Sequence, residues 1–372
     1  MSFEFKKFWR SHLLLVLLVL TIVFAAGNFY LQHERQVAQR QHLQQQIEQE
    51  LLNLSSCAKQ LEDFEALEPN QNLITVRQQI IQTTFADLVI EREALKNRQG
   101  QKFIQAELKK RQDYRRLNQK LQHAPTRNDF ASRINYPPAI LTVMGQQQFV
   151  FDDLQVTTLT GGAWLNFTQH FFHPLVLLLS SLLLTAIFSS EIAGSQKQFM
   201  VMTARGGWRY AGTSYLTALT IGASCYMVGS LSTLLLSWWA GSGLFKNSTD
   251  SWQMPLQATT KQTLQLGQGL GLAIILGGLL AASLLWTLFV LLTVSQNLTI
   301  SFAGATVMAG GCLSFNYLLP TKFGLTSYLN LFTQLPKFSG LLISSLISLI
   351  LIDFALLIWP TLVPTKMDGL LN

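Results

Sequence analysis

Charged side chains are scarce in this chain of 372 residues, of which 13% are charged and 49% are hydrophobic. A soluble protein carries about a quarter charged residues. The deficit is uneven, because roughly two thirds of all Lys, Arg, Asp and Glu lie within residues 31–165. A division this sharp indicates two solvents, water around the charged segment and lipid around the rest.

Catalytic and metal-binding motifs are also missing. The sequence contains no G-x-x-x-x-G-K-[ST], H-E-x-x-H, C-x-x-C or nucleophile elbow. Its three cysteines, Cys57, Cys225 and Cys312, show neither paired nor metal-ligand spacing, so they indicate no redox compartment. His170 and His173 are three residues apart but lack carboxylate or cysteine partners. We expect no catalytic residue, metal site or cofactor on this chain.

The net charge of +7 does not indicate nucleic acid binding. The charged segment mixes both signs almost evenly, and the positive excess flanks the apolar runs. Positive flanks are what membrane topology requires. We therefore expect membrane lipid, and no nucleic acid, as a partner.

Six apolar runs are present, each near or above the roughly 20 residues that a helix needs to cross a bilayer. They cover residues 13–30, 173–189, 211–239, 266–294, 298–319 and 338–359, and the second is short unless residues 167–172 are included. The pattern predicts an all-α membrane protein with six transmembrane helices. The first run is also compatible with a signal peptide ending near Ala25-Ala26-Gly27, but the unbroken helical pattern after it favours a retained span.

Basic residues near the apolar runs predict the orientation. Most of them fall on one side of a six-span arrangement, namely Lys6, Lys7, Arg10, Lys197, Arg205, Arg209 and Lys366. The positive-inside rule places that side in the cytoplasm, although Lys246, Lys261, Lys322 and Lys337 oppose it. We expect a multi-pass protein of the cell membrane with both termini cytoplasmic and residues 31–165 extracellular. Residues 1–30 would form an interfacial helix and the first span, and residues 166–372 a five-helix transmembrane domain.

The charged segment is predicted to be mainly helical. Residues 31–122 are rich in Gln, Glu, Leu, Lys and Arg and have almost no Gly or Pro. Coiled-coil spacing relates Ile47, Leu51, Leu54, Ala58 and Leu61, and less cleanly Ile81, Phe85, Leu88, Arg92 and Leu95. A break at residues 67–73 predicts an antiparallel helical hairpin, with a possible kink at Gly100. Beyond Pro125, residues 140–143 and 148–156 are predicted to be extended, as a small mixed cap.

Two features of this sequence have open roles. The helical segment is equally compatible with a stalk that binds a substrate, lipid or accessory protein and with a spacer or dimerisation arm. Asp353 is the one acid inside an apolar run. It lies near the end of that run, which favours a residue at the headgroups over a proton or substrate site.

The loop between the second and third runs carries the most specific pattern. It has the form F-x-x-E-x-x-G-x-x-K, with Glu191, Gly194 and Lys197, and ends on Arg205 and Arg209. Here the chain resembles the permease subunits of ABC exporters, in which such a loop contacts the ATPase subunit. The segment with Phe323, Tyr328 and Phe332 resembles the outer re-entrant segment of that family. Gly206-Gly207 stand where the family often has a proline.

The resemblance implies a transport subunit without enzyme activity of its own. ATP would bind to a separate cytoplasmic ATPase subunit, and a second permease copy or a paralogue would complete the pathway. The exported substrate would be amphipathic, such as a peptide, an antimicrobial or a lipid-like molecule. The main alternative is a membrane sensor or assembly scaffold whose coiled coil binds a partner. A secondary transporter would need more intramembrane ionisable groups than Asp353.

Overall fold

A computed structural model describes residues 12–65, 71–120, 132, 138–147, 153–154, 156–173, 176–177, 179–181, 183–184, 207–246, 252–258 and 263–295. These residues are mostly helical, as predicted. The elements in chain order are α1 (Leu13–Glu65), α2 (Gln71–Lys96), α3 (Gly100–Lys120), α4 (Pro138–Gln146), α5 (Thr160–Phe171), α6 (Gly207–Ala240), β1 (Pro255–Ala258), β2 (Thr263–Gln265) and α7 (Leu266–Ser295).

The chain divides into two compact units. The first, called here the apolar unit, is drawn from Met1–Gly27, Trp164–Leu234 and Gln268–Asn372. The second, called the helical unit, is drawn from Asn28–Ala163 and Leu235–Gly267. Helix α1 contributes to both units, because it runs without a break for 53 residues. At 1.5 Å per residue it is about 80 Å long.

Two of the described helices, α1 and α6, are long and apolar enough to cross a membrane. The first, third and fourth predicted runs coincide with the apolar part of α1, with α6 and with α7. The fifth and sixth runs lie outside the described residues, so the six-span count stays a prediction.

The second predicted span begins differently from the prediction. Residues 160–171 form a separate helix, α5, with Gly161 and Gly162 in its first turn. Phe172 forms a turn, and the next residues described after His173, 176 and 177, are helical. The sequence has Pro174 in between, and proline has no backbone N–H to donate within a helix.

Ring-against-glycine contacts define the packing of the apolar unit. A Cβ atom built on Gly229 of α6 would lie 2.4 Å from Phe167 Cζ of α5, and one on Gly277 of α7 would lie 2.2 Å from Phe172 Cγ. The rings of Phe167, Phe171 and Phe172 also surround Tyr226, with centroids 5.2–6.1 Å away. Only glycine permits these close approaches.

The predicted hairpin is a bundle of three helices. The first arm ends at Glu65, close to the predicted break. The second arm is two antiparallel helices, α2 and α3, because the chain reverses at residues 97–99, where Arg98 has a positive φ of 57°. Gly100 therefore begins a helix and does not kink one. The reversal lets α2 and α3 pack along each other. Tyr114 and Lys110 of α3 bond to Glu50 of α1.

The prediction of extended structure at residues 140–143 is wrong. Residues 140–143 are helical, within α4, and Pro138 stands at its first position, where a missing N–H costs nothing. The described part of residues 148–156 contains no strand. Strands form later in the chain, where β1 and β2 pair antiparallel with Pro255 opposite Gln265. Helix α4 packs on both α3 and β1.

Candidate functional site

Polar residues occupy core positions of all three bundle helices. Buried positions alternate at spacings of three and four, as in a coiled coil. On α1 they are Leu43, Ile47, Glu50, Leu54 and Cys57; on α2, Arg77, Ile81, Thr84, Leu88, Glu91 and Leu95; on α3, Phe103, Glu107, Lys110, Tyr114 and Leu117. Of the residues at the predicted coiled-coil positions, Ile47, Leu54, Ile81, Leu88 and Leu95 are buried. Phe85 and Arg92 are exposed, and Thr84 and Glu91 take their places.

Three carboxylates, one from each helix, surround the ammonium of Lys110. Lys110 Nζ lies 3.0 Å from Glu50 Oε2 of α1, 2.7 Å from Glu91 Oε2 of α2 and 2.5 Å from Glu107 Oε2 of its own helix. The side chains of Glu91, Glu107 and Lys110 are fully buried, and Glu50 is 3% exposed. We call these four residues the Lys110 cage. The three carboxylate oxygens lie at ion-pair distances from the ammonium, and Lys110 donates a hydrogen bond to Glu91 Oε2.

Further donors serve two of the three carboxylates. Tyr114 donates its hydroxyl to Glu50 Oε2 at 3.1 Å. Ser132 donates to Glu107 Oε1 at 2.7 Å, and Arg111 Nε donates to the same oxygen. Glu91 differs, because its Oε1 atom is buried without a hydrogen-bond partner in the described part of the chain.

The cage shifts the titration of its cationic and phenolic members. Burial alone would lower the pKa of Lys110, but the carboxylates of Glu91, Glu107 and Glu50 outweigh burial and raise that pKa. Burial and the neighbouring Glu50 carboxylate together raise the pKa of Tyr114. Lys110 is therefore charged and Tyr114 neutral at all physiological pH values.

The two acids Glu91 and Glu107 are shifted in opposite directions. Burial raises the pKa of Glu91 well above its ordinary value, and Lys110 only partly offsets this. Burial also acts on Glu107, but Lys110, Ser132 and Arg111 together leave the pKa of that carboxyl below its ordinary value. The difference follows the number of donors, since each donor stabilises the ionised form.

A second polar cluster, the collar, links α1 to other segments of the helical unit. Gln32, Gln36 and Arg40 follow one face of α1 at intervals of four. Each donates a side-chain N–H to a backbone carbonyl, namely that of Thr157 at 2.6 Å, Ser242 at 2.7 Å and Leu244 at 2.6 Å. These three carbonyls lie in loops, outside the helices and strands, and the side chains of α1 satisfy them.

Thr158 and Ser242 hold the centre of the collar together. The backbone N–H of Ser242 donates to Thr158 Oγ1 at 2.9 Å, and Thr158 Oγ1 donates to the Ser242 carbonyl at 3.0 Å. Ser237, in the last turn of α6, donates to the Thr158 carbonyl at 2.6 Å. A Cβ on Gly241 would lie 2.7 Å from that same carbonyl, so glycine is required there.

The collar loop, residues 241–246, also reaches the turn between α2 and α3. Lys246 donates its backbone N–H to the carbonyl of Arg98 at 2.9 Å. The ring of Phe245 lies 5.1 Å from that of Phe103, and both side chains are buried. The loop that follows α6 is thus hydrogen-bonded to α1 at Ser242 and Leu244, and to the α2–α3 turn at Lys246.

The residues that sequence reasoning singled out are not in this site. Among the loop residues, only Arg209 falls in a described element, α6, and its side chain is not described. The structural description does not extend to Glu191, Gly194, Lys197, Arg205, Asp353, Phe323, Tyr328 and Phe332. Their roles remain predictions.

Sequence reasoning missed the cage and the collar because it followed mainly apolar residues and placed Phe85 and Arg92, instead of Thr84 and Glu91, in the seam. The alternation of three and four continues through Glu50, Glu91, Glu107 and Lys110 if polar residues are accepted at core positions. Gln32 and Gln36 continue it towards the apolar end of α1. If the heptad register had been assigned first, the polar residues at its core positions would have identified the cage.

The comparisons give no relative from which a role can be carried over. No family model, no curated protein and no solved structure matches this chain. The functional proposal therefore rests on the residues themselves.

Proposed function

We propose that this chain is the permease subunit of an ABC exporter and moves an amphipathic substrate, using ATP bound to a separate cytoplasmic ATPase subunit. The observation that carries the proposal is the Glu191–Gly194 loop with its basic end, placed between two apolar runs. Glu191, Gly194, Lys197, Arg205 and Arg209 would dock the ATPase. A second copy or a paralogue would complete the pathway.

The described residues support this proposal through α1 and α6. Both are long and apolar enough to cross a membrane, and both continue into the helical unit. The collar bonds the end of α6 and its following loop to α1. A movement of α6 driven by the ATPase would therefore be transmitted to α1 in the helical unit through the hydrogen bonds of the collar.

The remaining placements belong to the same proposal. Six spans would put both termini in the cytoplasm and residues 31–165 outside the cell. Phe323, Tyr328 and Phe332 would form an outer re-entrant segment before the last span. Asp353 would lie near the cytoplasmic headgroups.

Copurification tests the proposal. An affinity-tagged chain, solubilised from its native host, should retain an ATPase subunit and ATP-hydrolysing activity. Glu191→Ala combined with Arg205→Ala should lose both, because the docking loop loses its anion and one cation. Lys366→Ala is the control, since it removes a basic residue predicted to be cytoplasmic but outside the loop. Retention of no ATPase by the unaltered chain would contradict the proposal.

One observation favours a partner-binding scaffold as the second candidate. An open groove of about 680 Å³ runs between α2 and α3. The α2 wall mixes apolar side chains such as Val76 and Ile80 with polar ones such as Asp87, and the α3 wall carries charged side chains such as Lys109. Such a groove suits an amphipathic helix. A purified chain that retains a partner through this groove, with no ATPase, would favour the scaffold.

A further inference from the structure

The charge of the Lys110 cage does not balance if every group is ionised. Three buried carboxylates face the buried ammonium of Lys110 and the guanidinium of Arg111, which is 14% exposed. Tyr114 contributes no charge. One negative charge would remain uncompensated in the core, and an uncompensated buried charge is strongly destabilising. Binding one proton removes the imbalance.

The hydrogen bonds indicate which carboxylate holds that proton. Glu107 accepts from Arg111 and Ser132 through Oε1 and forms an ion pair with Lys110 through Oε2. Glu50 accepts from Tyr114 and forms an ion pair with Lys110. Glu91 accepts from Lys110 alone, and its other oxygen has no partner among the described residues. It is also fully buried. Glu91 is therefore the carboxyl for which ionisation is least compensated.

We propose that the Lys110 cage is a proton-binding site: Glu91 carries a proton while α1 is packed on α2 and α3, and gives it to water when α1 separates. No bond other than the O–H bond of the Glu91 carboxyl changes in this step. Separation of α1 from the hairpin is then linked to proton release. The packing of the helical unit becomes sensitive to the pH of the solution around it.

The sign of the linkage follows from Glu91 and its neighbours. When α1 separates, water reaches Glu91 and its pKa returns towards the ordinary 4.5, whereas burial raises that pKa in the packed state. Between the two values the packed state holds one more proton, so packing weakens as pH rises, by about tenfold in the equilibrium per pH unit. Glu107 acts in the opposite sense, because its lowered pKa makes packing weaken as pH falls through that value.

Cys57 supplies a native reporter of the separation. It lies on α1 one heptad after Glu50, and it is 1% exposed. A thiol reagent can reach it only when α1 leaves the hairpin. In a full-length chain with Cys225→Ala and Cys312→Ala, the labelling rate divided by the rate in denaturant gives the separated fraction at each pH. The division cancels the intrinsic pH dependence of the thiol.

We expect the separated fraction to rise by up to about tenfold per pH unit above 4.5, until Glu91 ionises in the packed state as well. Glu91→Gln mimics the protonated carboxyl and should remove this rise while keeping the chain packed. Glu93→Gln, on the exposed face of the same helix, should leave the rise unchanged.

Two results would overturn the proposal. One is a Glu91→Gln chain with the same pH slope as the unaltered chain. The other is loss of the slope in Glu107→Gln instead. If Glu91→Gln fails to fold, infrared spectroscopy of the unaltered chain decides. A protonated carboxyl band that persists at neutral pH supports the proposal, and its absence contradicts it.

Discussion

In the helical unit, three helices meet at a buried ammonium and three carboxylates, whereas in the apolar unit helices meet at phenylalanine rings set against glycines. The difference corresponds to the two solvents that the composition indicates. In water, apolar burial drives helices together, but a polar group at a core position selects their register. In lipid, burying apolar side chains does not favour contact between helices, since the lipid tails are as apolar as leucine. Close van der Waals packing determines which helices associate instead.

Substitution of Lys110 is expected to have the largest effect on stability in either unit. Lys110→Met leaves three carboxylates buried without their ammonium, and the cost is about 3–5 kcal/mol of the unfolding free energy of the helical unit. Urea unfolding followed by Cys57 labelling measures it. Lys109→Met, at the exposed neighbouring position, is the matched control. Equal stability of the two variants would show that the cage does not hold the helices.

A smaller effect is expected in the apolar unit, at two adjacent glycines of α7. Gly277→Ala places a methyl group 2.2 Å from Phe172 Cγ, which costs about 1–3 kcal/mol as overpacking. Gly278→Ala meets nothing within 4 Å and should stabilise the helix by up to about 1 kcal/mol. Thermal unfolding in detergent compares them. A lower melting temperature for Gly278→Ala than for Gly277→Ala would contradict the claim that close packing holds the apolar unit together.

The smallest effect is expected in the collar. Gln36→Ala removes the donor to the Ser242 carbonyl and the acceptor of the Ser242 hydroxyl, at about 1 kcal/mol for each bond lost. Amide hydrogen exchange should become faster in residues 241–246 and stay unchanged in α3. Gln41→Ala, which is exposed on the same helix, is the control. Unchanged exchange in Gln36→Ala would mean that the loop is held without α1.

Much of the helical structure was predictable because composition and periodicity report on local structure. The apolar part of α1 and its continuation past Tyr30, the break near Glu65, and the burial of Ile47, Leu54 and Leu88 all follow from helix formers at regular spacing. The turn at Arg98 did not, because a positive φ at arginine has no propensity signal. The helix at residues 140–143 was missed because short aliphatic runs suit a strand or a helix equally.

The cage and collar could not be predicted as sites, for a different reason. A glutamate or lysine in a water-exposed helix is usually solvated, and only the convergence of three helices makes Glu50, Glu91 and Lys110 neighbours. The collar joins residues more than 200 positions apart in the chain, such as Gln36 and Ser242. Contacts of that separation come from tertiary packing alone.

Labelling of single cysteines in intact cells tests the two-solvent account most directly. In a chain without its native cysteines, Gln45→Cys on α1 should react with a membrane-impermeant reagent. Met227→Cys should not react, although this position of α6 is 68% exposed, because lipid covers it. Gln196→Cys should react only after permeabilisation. Reaction at Met227, or a shielded Gln45 beside a reactive Gln196, would contradict the account.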